Sequence, residues 1–488
     1  MLSAGPGWWS AVFLGWAASR ILARAGFGVT FDDNPLVWFW QFLDPALLRD
    51  DALASLWVQH AQPPLFNAYL AVVTKTCGDA STTCFDVSYL GFGAALHLGL
   101  FALMLRLGVD RRLALGATLL FTFAPAGILY EHWLFYTYPV AALLVWAAVF
   151  VHRAVERGAT RDLAAAIVLS AAAVLTRSLF HLVWLAGVLA LIAWPLRARW
   201  RRVAAVAALP TLLCLGVYAK NAFLFGEFAA SSWLGMSVAR LAVEPIPIEE
   251  RRALILDGTI GRVSLVKPFS EVDAYPPGLR RAAPSGHPAL SETHKSTGAP
   301  NYNHGAYLEI ARAYRRDARA LLLERPEVYR ESLLRAWTRY SMDPSVLLFL
   351  RTNRDRLGGY AEAVSAAVYG VTMAEPLAGR QVKRPEALYQ SSRWSLVFLL
   401  LVTGGVTVAG WRGLREWLGP DGDPALGAAL LFAAGTAAYV AVVGNAFELG
   451  ENNRFRFMVE PLHFALIAWL LDGLRRTPRE STAAEAAG

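Results

Sequence analysis

The stretch Pro63–Lys75, "PPLFNAYLAVVTK", decides how the rest of the chain is threaded. It is apolar, yet shorter than the ~20 residues a helix needs to cross a bilayer. If it did cross, every later cluster of basic residues would change sides. Those clusters are Arg106, Arg111 and Arg112; Arg153, Arg157 and Arg161; Arg197–Arg202; Arg412 and Arg415; and Arg475, Arg476 and Arg479. With the N-terminus inside and this stretch lying as an amphipathic helix on the outer interface, all of them fall on the cytoplasmic side, as the bias of Lys and Arg toward cytoplasmic loops demands.

The chain of 488 residues is 56% hydrophobic and only 17% charged, which marks an integral membrane protein rather than a soluble domain. Apolar stretches at Trp8–Gly28, Phe85–Leu105, Leu113–Tyr130, Leu134–His152, Leu163–Arg177, Ser178–Pro195, Val203–Phe223, Trp394–Trp411, Ala425–Val443 and Phe457–Leu471 give about ten expected spans. The first of these has no basic leading region and no small-residue cleavage site, so it is expected to stay as an anchor. A net charge of +8 resides in short clusters between apolar segments, where orientation explains it better than nucleic-acid binding. The expected fold class is all-α and polytopic. An N-terminal membrane module (1–225) carries a large first outer loop (27–84). An extracytoplasmic domain of helices and loops follows (226–393), then C-terminal membrane helices (394–475) and a disordered cytoplasmic tail (476–488).

Several polar residues stand out against this background. Asp32 and Asp33, in "DDNP", follow the first span where a carboxylate is reached from water yet lies beside low dielectric, a setting that suits a general base. Asp-Asn-Pro is also ordinary turn chemistry. Glu131 and His132, in "YEHWLFYTYP", fall in a short outer connection among aromatic belt residues. Arg177, in "VLTRSLFH", is an outer-face cation, costly unless it meets an anion or reaches the headgroups. Arg454 and Arg456, in "GENNRFRF", present guanidinium forks suited to phosphate oxygens, with Glu448 and Glu451 close enough to form salt bridges instead. Cys77 and Cys84, in "CGDASTTC", either close a short disulfide or remain thiols. No Cys/His spacing signals a metal site.

Taken together, these pieces resemble the GT-C superfamily of membrane glycosyltransferases, in particular the branch of protein O-mannosyltransferases and the lipid A aminoarabinose transferase. The likeness rests on "DDNP" after the first helix, "HAQPPLFNAYL" closing the first loop, Thr176-Arg177 in mid-chain, and "GENNRFRFMVEP" before the last helix, with "ERPEVYRESLLRAW" as an amphipathic lead-in. Two positions depart from the pattern. Tyr138-Pro139 stands where the aminoarabinose transferase has Asp-Pro, so that either Glu131 is the substitute acid or there is no second acid, and His60 and Gln62 replace the acidic residue before the paired prolines.

The resemblance implies a GT-C-like bundle and an inverting transfer of a hexosyl or pentosyl group. The donor would be a polyprenyl-phosphate sugar and the acceptor a hydroxyl on a lipid, glycan or protein, at the outer face of a bacterial-type inner membrane with both termini cytoplasmic. It implies Asp33, then Asp32, as the base, with Glu131 as second acid. Arg177, Arg454 and Arg456 would bind phosphate, and His60, Gln62 and His132 would contact substrate. It implies no cofactor beyond the lipid-linked donor and leaves a divalent metal open. Two other activities fit the same composition: a lipid-linked sugar transporter or flippase, expected to show a pseudo-symmetric pair of broken helices, and a glycan polymerase or ligase using a diphosphate carrier. A lipid-binding partner in an envelope complex, without catalysis, is the remaining reading.

Overall fold

A computed structural model describes residues 5–281, 286–373, 389–391 and 393–485. Residues 1–4 of the expected N-terminal module, the parts of the expected middle domain at 282–285, 374–388 and 392, and residues 486–488 of the expected tail lie outside the described residues. The membrane part is built from α1 (Pro6–Ile21), α2 (Leu65–Cys77), α3 (Ser81–Arg106), α4 (Arg111–Phe123), α5 (Pro125–Glu131), α6 (Thr137–Arg157), α7 (Thr160–Thr176), α8 (Leu182–Ala193) and α9 (Trp200–Phe225). The middle segment contributes α10 (Leu234–Ala242), α11 (Ala306–Glu324) and α12 (Pro326–Ser341). The chain ends with α13 (Arg393–Leu418), α14 (Pro424–Phe447) and α15 (Asn452–Glu485). A short antiparallel ribbon, Val371–Met373 with Tyr389–Ser391, is the exception to an otherwise helical structure among the described residues.

Local chemistry sets the helix ends. Asp110 caps α4 by accepting from the amides of Arg112 and Leu113, and Asp423 caps α14 in the same way. Gly158 and Gly226 stop α6 and α9 in the left-handed conformation, with φ of 60° and 70°. Pro125 opens α5 and breaks it from α4 at an angle of 59°.

Every stretch expected to span is helical, but the count of ten needs correction. Six helices are long and apolar enough to cross a membrane, or seven if the bent pair α4–α5 is one span. Of the others, α7 and α8 have 17 and 12 residues, and α1 has 16 before the π-helical Leu22–Gly26 carries it on. Hydropathy finds the apolar run; it does not find where capping ends the helix. The span-long helices α9 and α13 expose Leu209, Leu212, Phe223, Leu400 and Trp411, an all-round apolar character that fits a lipid-facing surface.

The stretch that opens the reading folds as α2, burying Phe66, Asn67, Leu70, Ala71 and Thr74 on one face. Only Gly78–Ala80 separates it from α3, and a disulfide between Cys77 and Cys84 staples that junction. α3 alone has 26 residues, enough to cross a bilayer at ~1.5 Å per residue, so α2 is surplus to that span.

The middle segment divides. Its first part has a core of its own around Trp233, Met236, Ile260, Tyr275, Tyr307 and Tyr314. Its second part packs on the helical bundle, where Tyr340, Leu347, Leu350 and Leu357 join the main core. The last helix continues to Glu485, through most of the tail expected to be disordered.

Candidate functional site

Arg177 leaves α7 in extended conformation, because the chain must turn through Arg177–His181 before α8 begins. Arg454 lies in the first turn of α15, and Tyr136 immediately precedes α6. These three breaks meet. Arg177 Nη1 donates to the Tyr136 hydroxyl at 2.5 Å and Arg454 Nη1 donates to the same oxygen at 3.1 Å. Both guanidinium groups also lie against the Phe455 ring, at 5.3 and 5.4 Å. Residues 8% and 2% exposed thus place two cations side by side.

They form one wall of a cavity of about 350 Å³, lined also by residues of the first loop, of the turn between α7 and α8, of α9 and the segment after it, of α10, of α11 and of the end of α14 with the α14–α15 connection. Its other arginines are neutralised: Arg454 by Glu451 at 2.6 Å, Arg240 by Glu448 at 2.8 Å and Arg315 by Glu227 at 3.0 Å. Arg177 has no ion pair among the described residues, and its Nε and that of Arg454 are buried without a hydrogen-bond partner. A buried, unmatched guanidinium at a cavity wall is unfavourable unless an anion completes it. The cavity is therefore electrostatically prepared for phosphate or another oxyanion.

The carboxylates that line the cavity are Glu227, Glu448 and Glu451. Glu448, extended at the end of α14, accepts from Ser237 at 2.9 Å as well as from Arg240. Asp32 and Asp33 do not line it. The Asp32 backbone bridges to the 132–134 segment, and its side chain accepts from the Asn34 amide and side chain in a tight turn. Burial raises the Asp32 carboxyl above its usual pKa, against the two Asn34 hydrogen bonds that lower it. Asp33 accepts from Thr82 at the start of α3.

The residues singled out from the sequence thus fall into separate groups. Asp32, Asp33, Glu131 and His132 gather where the first loop meets α1 and α3. There His132 Nε2 accepts from Arg24, which pairs with Asp86, and Glu131 is sealed inside by Arg20 at 2.7 Å and the Tyr138 hydroxyl at 2.5 Å. Gln62, Arg177 and Arg454 gather at the cavity. His60 is a tie instead of a lining residue: its Nδ1 meets Ser232 at 2.8 Å and its amide donates to Asn303 at 2.9 Å, stitching "HAQPP" to the middle segment. Burial pushes its pKa down to about 3, so the ring is neutral. Arg456 points elsewhere, to Glu460 at 2.9 Å and to the Ser341 carbonyl at 2.8 Å.

Sequence reasoning passed over Tyr136, treated as one more belt aromatic, and over Trp40, Glu227, Arg240 and Phe269. Glu227, the first residue after the glycine that ends α9, carried the only usable signal, a lone acid at a helix exit. Among the described residues, no cluster of three or more His, Cys, Asp or Glu could hold a metal ion. No protein-family model, curated protein or solved structure matches the chain.

Proposed function

We propose that this chain is a membrane glycosyltransferase that moves a sugar from a polyprenyl-phosphate carrier to an acceptor hydroxyl on the outer side of a bacterial-type inner membrane. The observation that carries this reading is the convergence of Arg177 and Arg454 on one hydroxyl at the cavity wall, with the Arg177 charge unmatched. A lipid substrate is favoured by the exposed apolar rim: Phe228, Leu234 and Phe447 line the cavity and are 64, 46 and 44% exposed, giving a polyprenol tail apolar surface to follow. The volume also suits a ligand of monosaccharide-phosphate size.

In the transfer, the acceptor oxygen attacks the anomeric carbon, and the bond from that carbon to the phosphate oxygen breaks. The electron pair leaves with the polyprenyl phosphate, whose added negative charge Arg177 and Arg454 stabilise. One displacement inverts the anomeric centre. The hydroxyl proton passes to a carboxylate, and Glu448 takes this role in place of Asp33, because it lines the cavity and Asp33 does not.

The test compares envelope glycolipids and glycans by mass spectrometry from cells with the wild-type protein, without it, and with single variants. Loss of the protein should remove one hexose, pentose or amino sugar from a product. Glu448→Gln should cut transfer by about 10²–10⁴-fold, while Asp33→Asn should cost less than about tenfold. An unchanged glycan profile without the protein overturns the activity; a dead Asp33→Asn beside an active Glu448→Gln returns the base to the first loop.

A further inference from the structure

Beside Arg240, the cavity is walled by aromatic rings whose arrangement is held at some expense. Phe269 is the one non-glycine residue with positive φ among the described residues, at 62°, a left-handed conformation that a bulky residue rarely adopts unless its surroundings impose it. Its carbonyl is pinned by the Tyr302 hydroxyl at 2.8 Å. The result of that conformation is a ring lying almost flat against Trp40, with centroids 5.3 Å apart and planes 15° apart, and edge-on to Trp233 at 5.4 Å. Trp40 nevertheless keeps 37% of its surface exposed, while its neighbour Gln41 lines the same cavity with Oε1 buried and unpartnered.

An apolar plane beside an unsatisfied acceptor is the complement of a sugar ring, which presents C–H groups on its faces and hydroxyls around its edge. Resting on the phosphate reading above, we infer that Trp40, backed by Phe269, is the platform on which the donor sugar ring stacks. Gln41 Oε1 accepts a hydrogen bond from one of its hydroxyls while its phosphate sits at Arg177. The platform reads a ring face, so it selects for the presence of a cyclic sugar more than for one hydroxyl pattern.

The experiment measures binding to the purified full chain in lipid nanodiscs. The probes are bare polyprenyl phosphate and polyprenyl phosphates bearing a hexose, a pentose or an amino sugar. Wild type should hold at least one sugar-bearing lipid about tenfold tighter than the bare one. Trp40→Ala should bring the two to equal affinity without weakening the bare lipid, which also reports that the variant is folded, and Trp40→Phe should restore part of the difference. Equal affinities in wild type, or a sugar preference that survives Trp40→Ala, overturn the platform and leave the phosphate site standing. If wild type binds none of the four lipids, the phosphate reading fails and the platform with it.

Discussion

Arg177 and Glu131 are both charged groups withdrawn from water, and the fold treats them in opposite ways. Glu131 is closed in by Arg20, Tyr138 and Trp16, which donates at 3.3 Å, so its charge is matched and its lone pairs are used. Glu131→Gln should therefore lower stability by about 3–5 kcal/mol by leaving Arg20 buried and unpaired, and adding Arg20→Met should recover much of it. Arg177 has no ion pair to lose. Arg177→Gln is expected to leave the melting temperature of the detergent-solubilised protein unchanged or raised, while weakening polyprenyl-phosphate binding by about tenfold or more. A large drop in melting temperature would make Arg177 a structural cation. Arg177 was legible from sequence because an arginine between two apolar runs is conspicuous by cost alone. Tyr136 was not, since one tyrosine among Tyr130, Trp133 and Tyr138 gives no hint that its hydroxyl joins two arginines that lie far apart in sequence. That Asp32 and Asp33 do not line the arginines' cavity was equally hidden, because spacing along a chain carries no distance across a bundle.

At the scale of elements, the middle segment depends on how closely α10 approaches α11. A Cβ on Gly235 would lie 1.8 Å from the Ala311 carbonyl oxygen and 3.0 Å from the Arg315 amide, both backbone atoms that cannot step aside. Gly235→Ala should push the helices apart and destabilise this segment by roughly 1–3 kcal/mol. Because Leu234 and Arg315 line the cavity, binding should weaken too. Thermal unfolding with limited proteolysis between 226 and 325 checks this; a variant as resistant as wild type would show that the two helices have slack. Element positions were the most readable feature of the sequence, since apolar runs bounded by Asp caps and stopping glycines announce themselves. Whether a run such as Leu182–Ala193 crosses the bilayer was not readable, because hydropathy responds to composition and is silent on depth. The core beneath Trp233 was only half readable: Tyr307, Ile310, Tyr314 and Leu321 follow the helical period of α11, while Phe269 and Tyr275 join it from loops with no period.

For the molecule as a whole, the first loop and the middle segment are separate in sequence and joined by the His60 ties and by a second clamp around buried Lys295. Lys295 donates to the Phe39 carbonyl at 2.7 Å, Thr297 donates to that of Val37 at 3.1 Å, and the Ser296 amide donates to Asp44 at 2.6 Å. This clamp holds the backbone beside Trp40, so the integrity of the cavity wall is tied to it. Burial lowers the Lys295 pKa to about 7 from its ordinary 10.5, with Asp44 opposing the fall. Between those two values the unfolded chain binds a proton that the folded chain does not, so this lysine makes stability rise with pH across that window. Below about 7 both states carry the charge, and the penalty for burying it is fully present. Lys295→Met removes the titration while keeping most of the apolar stem. The melting temperature of wild type minus that of Lys295→Met should therefore climb from pH 7 to 10, over a range worth on the order of a few kcal/mol, and level off below pH 6. A difference that stays flat across the range would mean that the ammonium reaches water and that the clamp is closed by Thr297 and Ser296 alone.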